Sequence, residues 1–277
     1  GGGDDWGGSK SVDVPGMSFT GSDTVKLKLV RDGKAYYFYV NDKLVLYNEN
    51  GFKSEPGAVG IFSFNTVTTV SGYSVAVDGN ANSAIQSAKD TVAAMTKIAM
   101  TTNYFTESAG KYSLTTDSNA EHKVDDLTRG GNVLRTAYYS VKGKLTLTNA
   151  GDWGQARILI SADARNEYFF ALEKTNSGKF QFFTMSKANQ DGWDVWQEIL
   201  NQDTNGSRNS LDFEVVVIGK KVYFLVDNAV IYTTERVSMT ESTLKFTGYN
   251  VGTTTVENLS ATVFENQQAA EAYISAK

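Results

Sequence analysis

Apolar and polar residues alternate along Val25, Leu27 and Leu29 against Lys26 and Lys28, and the apolar face returns at Tyr37 and Tyr39. A period of two marks a half-buried β-strand. Between the two runs stands Arg31-Asp32-Gly33-Lys34, a hairpin signal because Asp-Gly supplies the positive φ angles of a tight turn. The same pattern recurs near the other end. Val25–Val45 (VKLKLVRDGKAYYFYVNDKLV) lies on Leu211–Ile231 (LDFEVVVIGKKVYFLVDNAVI) without a gap. The match resumes with Phe64-Asn65 on Tyr249-Asn250, Thr68–Val70 on Thr254–Val256 and Ser74–Val77 on Ser260–Val263. The offset stays near ~186 residues, the length of a domain rather than of a solenoid repeat, which predicts tandem duplication.

Further strands are predicted near Lys111–Thr115, Val133–Tyr139, Lys144–Thr148, Gln155–Ser161, Tyr168–Glu173, Lys179–Ser186 and Asp194–Leu200, then near Ser210, Lys221, Val230, Leu244 and Asn258. Many short strands at this spacing predict a two-sheet antiparallel sandwich. Two stretches break the pattern. Ala81–Met100 carries Ile85, Ala88, Val92, Met95 and Ala99 at three-four spacing, the apolar stripe of a helix, with Ser83 and Gln86 as a capping box. Gln267–Ala276 is the second helix. The expected organisation is a partial sandwich repeat over 1–80, a helical linker over 81–100, a complete repeat over 101–265 and a C-terminal helix over 266–277. The first copy has only the back half of the second, so the chain reads as a slice of a longer multi-domain protein.

Composition trims the functional options. The net charge is −5 and no basic stripe is present, which argues against a nucleic-acid partner. Without cysteine there is no disulfide scaffold, thiolate zinc site or cysteine nucleophile. No apolar run approaches the ~20 residues a membrane-spanning helix needs, so no membrane insertion is expected.

The succession Asp152-Trp153-Gly154, Asn166–Phe170, Phe180–Phe183, Trp193–Trp196, Asn209–Leu211 and Lys221–Asp227 resembles concanavalin A-like, laminin-G-like jelly rolls of bacterial extracellular glycan-binding proteins. The resemblance covers Tyr104–Phe264 as a complete domain and residues 4–78 as a partial one. It implies an all-β fold of tandem antiparallel β-sandwich units joined by an α-helix. It also implies an extracellular or cell-surface setting, a polysaccharide or oligosaccharide partner and neighbouring domains of a longer chain, with starch-adherence proteins as the narrower parallel.

Glucanases of that superfamily carry alternate carboxylates on one strand, and retaining hydrolysis needs two carboxyl groups ~5 Å apart. Glu167 and Glu173 are separated by aromatic and apolar residues, Asp212 and Glu214 face Lys220-Lys221, and His122 is the single histidine. The expectation is therefore no enzyme. Calcium is a candidate ligand at Asp117, Asn119 and Asp125, with Asp126 beside them, because it takes carboxylate and carbonyl oxygens; no other cofactor is expected. The tryptophans point to sugar. Trp6, Trp153 and Trp193 each adjoin glycine and an acidic residue, the chemistry of a turn or strand edge. An indole offers a plate for the C–H face of a sugar, and polar neighbours supply hydrogen bonds. The expected ligand-binding set is Trp153, Trp193, Asp152, Arg157, Asp194 and Trp6, while Trp196 is expected in the core. Polysaccharide binding is the first reading, a structural or adhesive spacer the alternative and a glycoside hydrolase the residual.

Overall fold

The computed structural model describes residues 23–49, 51, 60, 67–117, 123–187, 195–199, 206–235 and 241–277, with backbone alone at 187 and 195–199. The chain divides into two compact units, 1–94 and 95–277.

In the first unit, β1 (Leu27–Asp32), β2 (Ala35–Val40) and β3 (Lys43–Asn48) form an antiparallel sheet in chain order. Gly33 turns the first corner at φ +57, and Asn41 (φ +49) and Asp42 (φ +63) turn the second. Two successive positive φ angles match the right-handed twist of the flanking strands, and short Asx side chains tolerate them. Helix α1 (Asn82–Thr96) lays its stripe on one face of this sheet. Ala88, fully buried, meets Val30, Tyr37, Tyr39 and Leu44, flanked by Ala84, Ile85 and Val92. Lys89 reaches Asp32 at 2.6 Å. Two expectations are corrected. The helix stops at Thr96, because Ile98–Met100 leaves it to become strand β4. Ser83 lies inside the helix rather than at its cap, and the Gln86 amide donates to Asp90, one turn on.

The second unit is an antiparallel sandwich. One sheet contains β4, β7 (Asp125–Arg129), β8 (Asn132–Val133), β10 (Gln155–Asp163), β11 (Asn166–Lys174), β12 (Phe180–Lys187), β13 (Val195–Ile199) and β17 (Thr243–Tyr249). Its order is β13-β12-β11-β10-β17-β7-β4, with β8 also on β7. The other contains β5 (Thr106–Ser108), β6 (Lys111–Thr116), β9 (Tyr138–Thr148), β14 (Ser210–Ile218), β15 (Lys221–Val226), β16 (Ala229–Thr234) and β18 (Gly252–Val263). Its order is β16-β15-β14-β9-β18-β6-β5. Hairpins at the sheet edges and non-consecutive neighbours at β10-β17-β7-β4 and β14-β9-β18-β6 make this the jelly-roll arrangement. Val141, Leu147, Ile158, Leu172, Val215 and Phe246 are all fully buried between the sheets. Phe170 of one sheet stacks on Phe224 of the other at 4.0 Å.

β9 is one continuous strand where two were expected. Gly143 does not break it: a Cβ there would lie 2.9 Å from the Glu257 carbonyl and 3.1 Å from the Phe213 ring, so glycine lets both approach. Helix α2 (Gln267–Ser275), capped by Asn266, covers the outer face of β14 and β15 through Ala270, Tyr273 and Ile274 against Val216, Ile218 and Leu225.

The two units share hairpin geometry in detail. Val30 opposes Tyr37 as Val216 opposes Tyr223. A bulge interrupts β2–β3 after Phe38 and β15–β16 after Phe224. The amide of Asn41 donates to the Lys26 carbonyl as that of Asp227 donates to Asp212. Asp227 and Asn228 carry positive φ as Asn41 and Asp42 do.

Candidate functional site

The loop from Asn149 to Gly154 joins β9 to β10 and is held from several sides. Gly151 donates to the Val251 carbonyl, Lys174 Nζ to Ala150 O at 2.8 Å and Asn250 Nδ2 to Asp152 O at 2.9 Å. The Trp153 amide donates to Lys174 O at 2.7 Å and fixes Trp153 at φ +63. A left-handed conformation is an outlier for a bulky L-residue. Gly154 follows because a Cβ would stand 2.2 Å from the Val251 carbonyl. The indole is 46 % exposed, and Asp152 beside it is exposed too. A rigid turn thus presents a large amphipathic ring to solvent at the sandwich rim.

Next to it, the outer face of the eight-stranded sheet carries a polar row. Gln155 and Gln181 donate to the Glu173 carboxylate at 2.5 and 2.8 Å, and Arg157 Nε donates to Gln155 Oε1 at 2.6 Å. The Arg157 guanidinium lies over Phe169 at 4.5 Å and Tyr249 at 4.2 Å. Arg157 is thereby stacked between two rings of this row. Glu173, Phe169 and Phe183 are 3 %, 1 % and 2 % exposed, so this part of the face is covered, not an open cleft. Backbone pairing sets Trp196 opposite Met185 and Ile199 opposite Phe182.

Asp125 is fully buried, and its carboxylate accepts from the Thr101 hydroxyl (2.9 Å) and the amides of Asn103 (3.0 Å), Tyr104 (2.9 Å) and Phe105 (2.7 Å). It organises the turn between β4 and β5. Asp117 is exposed, and Asn119 lies outside the described residues. Among the described residues no group of three or more His, Asp or Glu side chains converges on a point that could hold a metal ion. Trp6, Trp193, Asp194 and His122 also lie outside the described residues.

Glu167 and Glu173 sit on one face of β11, six residues and about 20 Å apart, a span wider than the ~5–9.5 Å of paired glycosidase carboxylates. Glu214 is 4 % exposed and is held beneath α2 by Ser140 Oγ (2.5 Å), Tyr273 OH (2.5 Å) and Lys277 Nζ (2.8 Å). Burial alone would raise its carboxyl; these donors bring it below the ordinary value. A groove of about 450 Å³ beside β4 holds Lys97 and Glu107 as its charged side chains.

No family model matches the chain, and no curated protein matches it in sequence. Solved structures share its architecture. A carbohydrate-binding module of family 66 from Bacillus subtilis is 11% identical, with 60% of this chain and 96% of that one covered at a TM-score of 0.41. The κ-carrageenase of Pseudoalteromonas carrageenovora is 11% identical, with 59% and 83% covered at 0.40. An alginate lyase of polysaccharide lyase family 7 is 12% identical, with 58% and 83% covered at 0.42. These likenesses are of sheet architecture alone. The expectation of no enzyme is withdrawn, since sandwiches of this architecture include glycoside hydrolases and polysaccharide lyases as well as binding modules. Nothing in them favours a starch-adherence protein over other members of the jelly-roll class. Among the described residues no helix is long and apolar enough to cross a membrane.

Proposed function

We propose that the second unit engages a polysaccharide at its rim, with the Trp153 indole as the stacking plate and Asp152 as the adjacent hydrogen-bonding group. The observation that carries this reading is the strained, half-exposed indole. Backbone strain at a solvent-facing tryptophan contributes nothing to the core and persists only where the surroundings over-determine it, as the anchored Asn149–Gly154 turn does. Indoles supply a rigid apolar surface with a polar N–H, which suits a sugar's C–H face and hydroxyls. A shallow, wet rim site binds in the micromolar to millimolar range, roughly −8 to −4 kcal/mol. Starch-type α-glucan is the ligand placed first, and an extracellular setting follows from a polysaccharide partner.

The test is affinity electrophoresis on gels containing starch, alginate, κ-carrageenan or xyloglucan, with release of reducing ends and unsaturated products measured on the same panel. Trp153→Ala should abolish retardation on whichever gel retards the wild type, while the circular dichroism spectrum stays unchanged. Undiminished retardation of that variant would remove the site. Retardation on no glycan would instead favour an adhesive or spacer role.

A further inference from the structure

We propose that Lys174 is the positioning residue of the Trp153 plate. Within the rim reading above, on which this rests, its ammonium holds the indole from behind and sets glycan affinity without touching the sugar.

The last step of the β10–β11 ladder is uneven. Gln155 opposes Glu173, but one residue further on Lys174 meets two residues at once. Its amide donates to Gly154 O at 3.0 Å, and its carbonyl accepts from the Trp153 amide at 2.7 Å. Two residues facing one is a β-bulge, and Trp153 at φ +63 holds the left-handed first position that glycine ordinarily fills. Glycine stands at the second position instead, where the Val251 carbonyl leaves no room for a Cβ. The bulge thus aims an indole at solvent against the preference of its own backbone.

Both backbone bonds of the bulge would form equally well with glycine at position 153, so they do not offset the strain that an indole adds there. Side chains supply the remaining ties. Asn250 Nδ2 holds Asp152 O on one side, and Lys174 Nζ holds Ala150 O at 2.8 Å on the other. Among the described residues Ala150 O accepts from no other donor, and no carboxylate pairs with the Lys174 ammonium. Lys174 is half-buried at the end of β11. Its bond to Ala150 is charge-assisted, about twice as strong as a neutral one. One residue therefore grips the turn at Ala150, Trp153 and Gly154, before the indole and after it. Without the ammonium, Ala150 is released and Trp153 can leave the left-handed region. The plate then has to be ordered anew each time a sugar binds, and that ordering is subtracted from affinity.

Lys174→Met keeps the stem and both backbone bonds but removes the ammonium, whereas Lys174→Arg retains a cationic donor. Fluorine NMR of the full chain labelled with 5-fluorotryptophan follows the plate with no glycan present, the Trp153 signal being the one lost in Trp153→Phe. That signal should shift or broaden in Lys174→Met, leave the other tryptophan signals in place and return in Lys174→Arg. Lys174→Gln, with a shorter and neutral donor, should fall between the two and serves as the test if the methionine variant does not fold. On whichever gel retards the wild type, Lys174→Met should weaken retention about tenfold, equally at low salt and in about 0.5 M salt. Lys174→Arg should bring retention back to within about threefold of wild type. An unmoved Trp153 signal in a folded Lys174→Met or Lys174→Gln variant would overturn the proposal. So would a loss of affinity confined to acidic glycans and abolished by salt, the mark of an ion pair made directly with the ligand. Wild-type retention on no gel would instead sink the rim reading, and the fluorine signal would still decide whether Lys174 holds the plate.

Discussion

Replacing Asp125 by alanine withdraws the carboxylate that ties Thr101–Phe105 to β7. The Thr101 hydroxyl and the amides of Asn103, Tyr104 and Phe105 then lose their acceptor. Asn103 and Tyr104 are exposed, so water can take over there, but Phe105 is 1 % exposed and its amide is stranded. A hydrogen bond to a charged group is worth about 1.5–3 kcal/mol, and a buried orphan costs about 1–3 kcal/mol. One stranded amide plus several weakened bonds gives a loss of about 4 kcal/mol for Asp125→Ala. Asparagine keeps one acceptor oxygen but turns an NH₂ toward the donors that the other oxygen served, for a loss of about 2–3 kcal/mol. With a urea slope of about 2 kcal/mol per molar, the alanine midpoint should fall by about 2 M and the asparagine midpoint by about 1 M. Equilibrium unfolding of the full chain, followed by tryptophan fluorescence, measures both. An alanine midpoint within about 0.3 M of wild type would refute the claim that this carboxylate organises the turn.

Trp153→Gly should be about 1 kcal/mol more stable than Trp153→Ala, because glycine accepts φ +63 without strain, and both should lose glycan retention; thermal melts and affinity gels read the two effects separately. Glu214 is depressed below its ordinary value of 4.5, so its contribution is present above that pH and lost as pH falls through the lower, folded-state value. Urea midpoints should drop on acidification from about pH 6 to about pH 3, and Glu214→Gln should flatten that drop while lowering the midpoint at neutrality. Gly143→Ala should destabilise by about 1–3 kcal/mol, since its methyl would press on the Glu257 carbonyl and the Phe213 ring; a melting temperature equal to wild type would count against that close approach.

Most of the strands could be read from alternation and from Gly or Asx turns, because each half-buried strand must place apolar residues at every second position. What escaped had a physical reason. β7 begins with a buried Asp125 whose neutralising donors come from a distant turn, so its sequence resembles a polar loop. Ile98-Ala99 extends the helical stripe of α1, yet pairing with β7 wins those residues for the sheet. The joining of two expected strands into β9 had no local signal, because nothing near Gly143 in sequence reveals the Phe213 ring that fills the space beside it. The ligand set was legible only as residue types. Neither the left-handed turn at Trp153 nor the stacking of Arg157 between Phe169 and Tyr249 has a local signature.

The lysines of β1 also bear on the order in which the chain is made. Synthesis runs from the N-terminus, so β9 emerges while β1 is already present and β14 is still roughly sixty residues away, about 3–12 s at usual rates. In that interval β1 is the most similar surrogate for the proper neighbour of β9, with the same alternation and hairpin register. Lys142 and Lys144 would fall opposite Lys28 and Lys26, whereas Glu214 and Asp212 later offer them opposite charge. β9 would thus meet like charge on β1 and opposite charge on β14, so charge favours the strand made later as its neighbour.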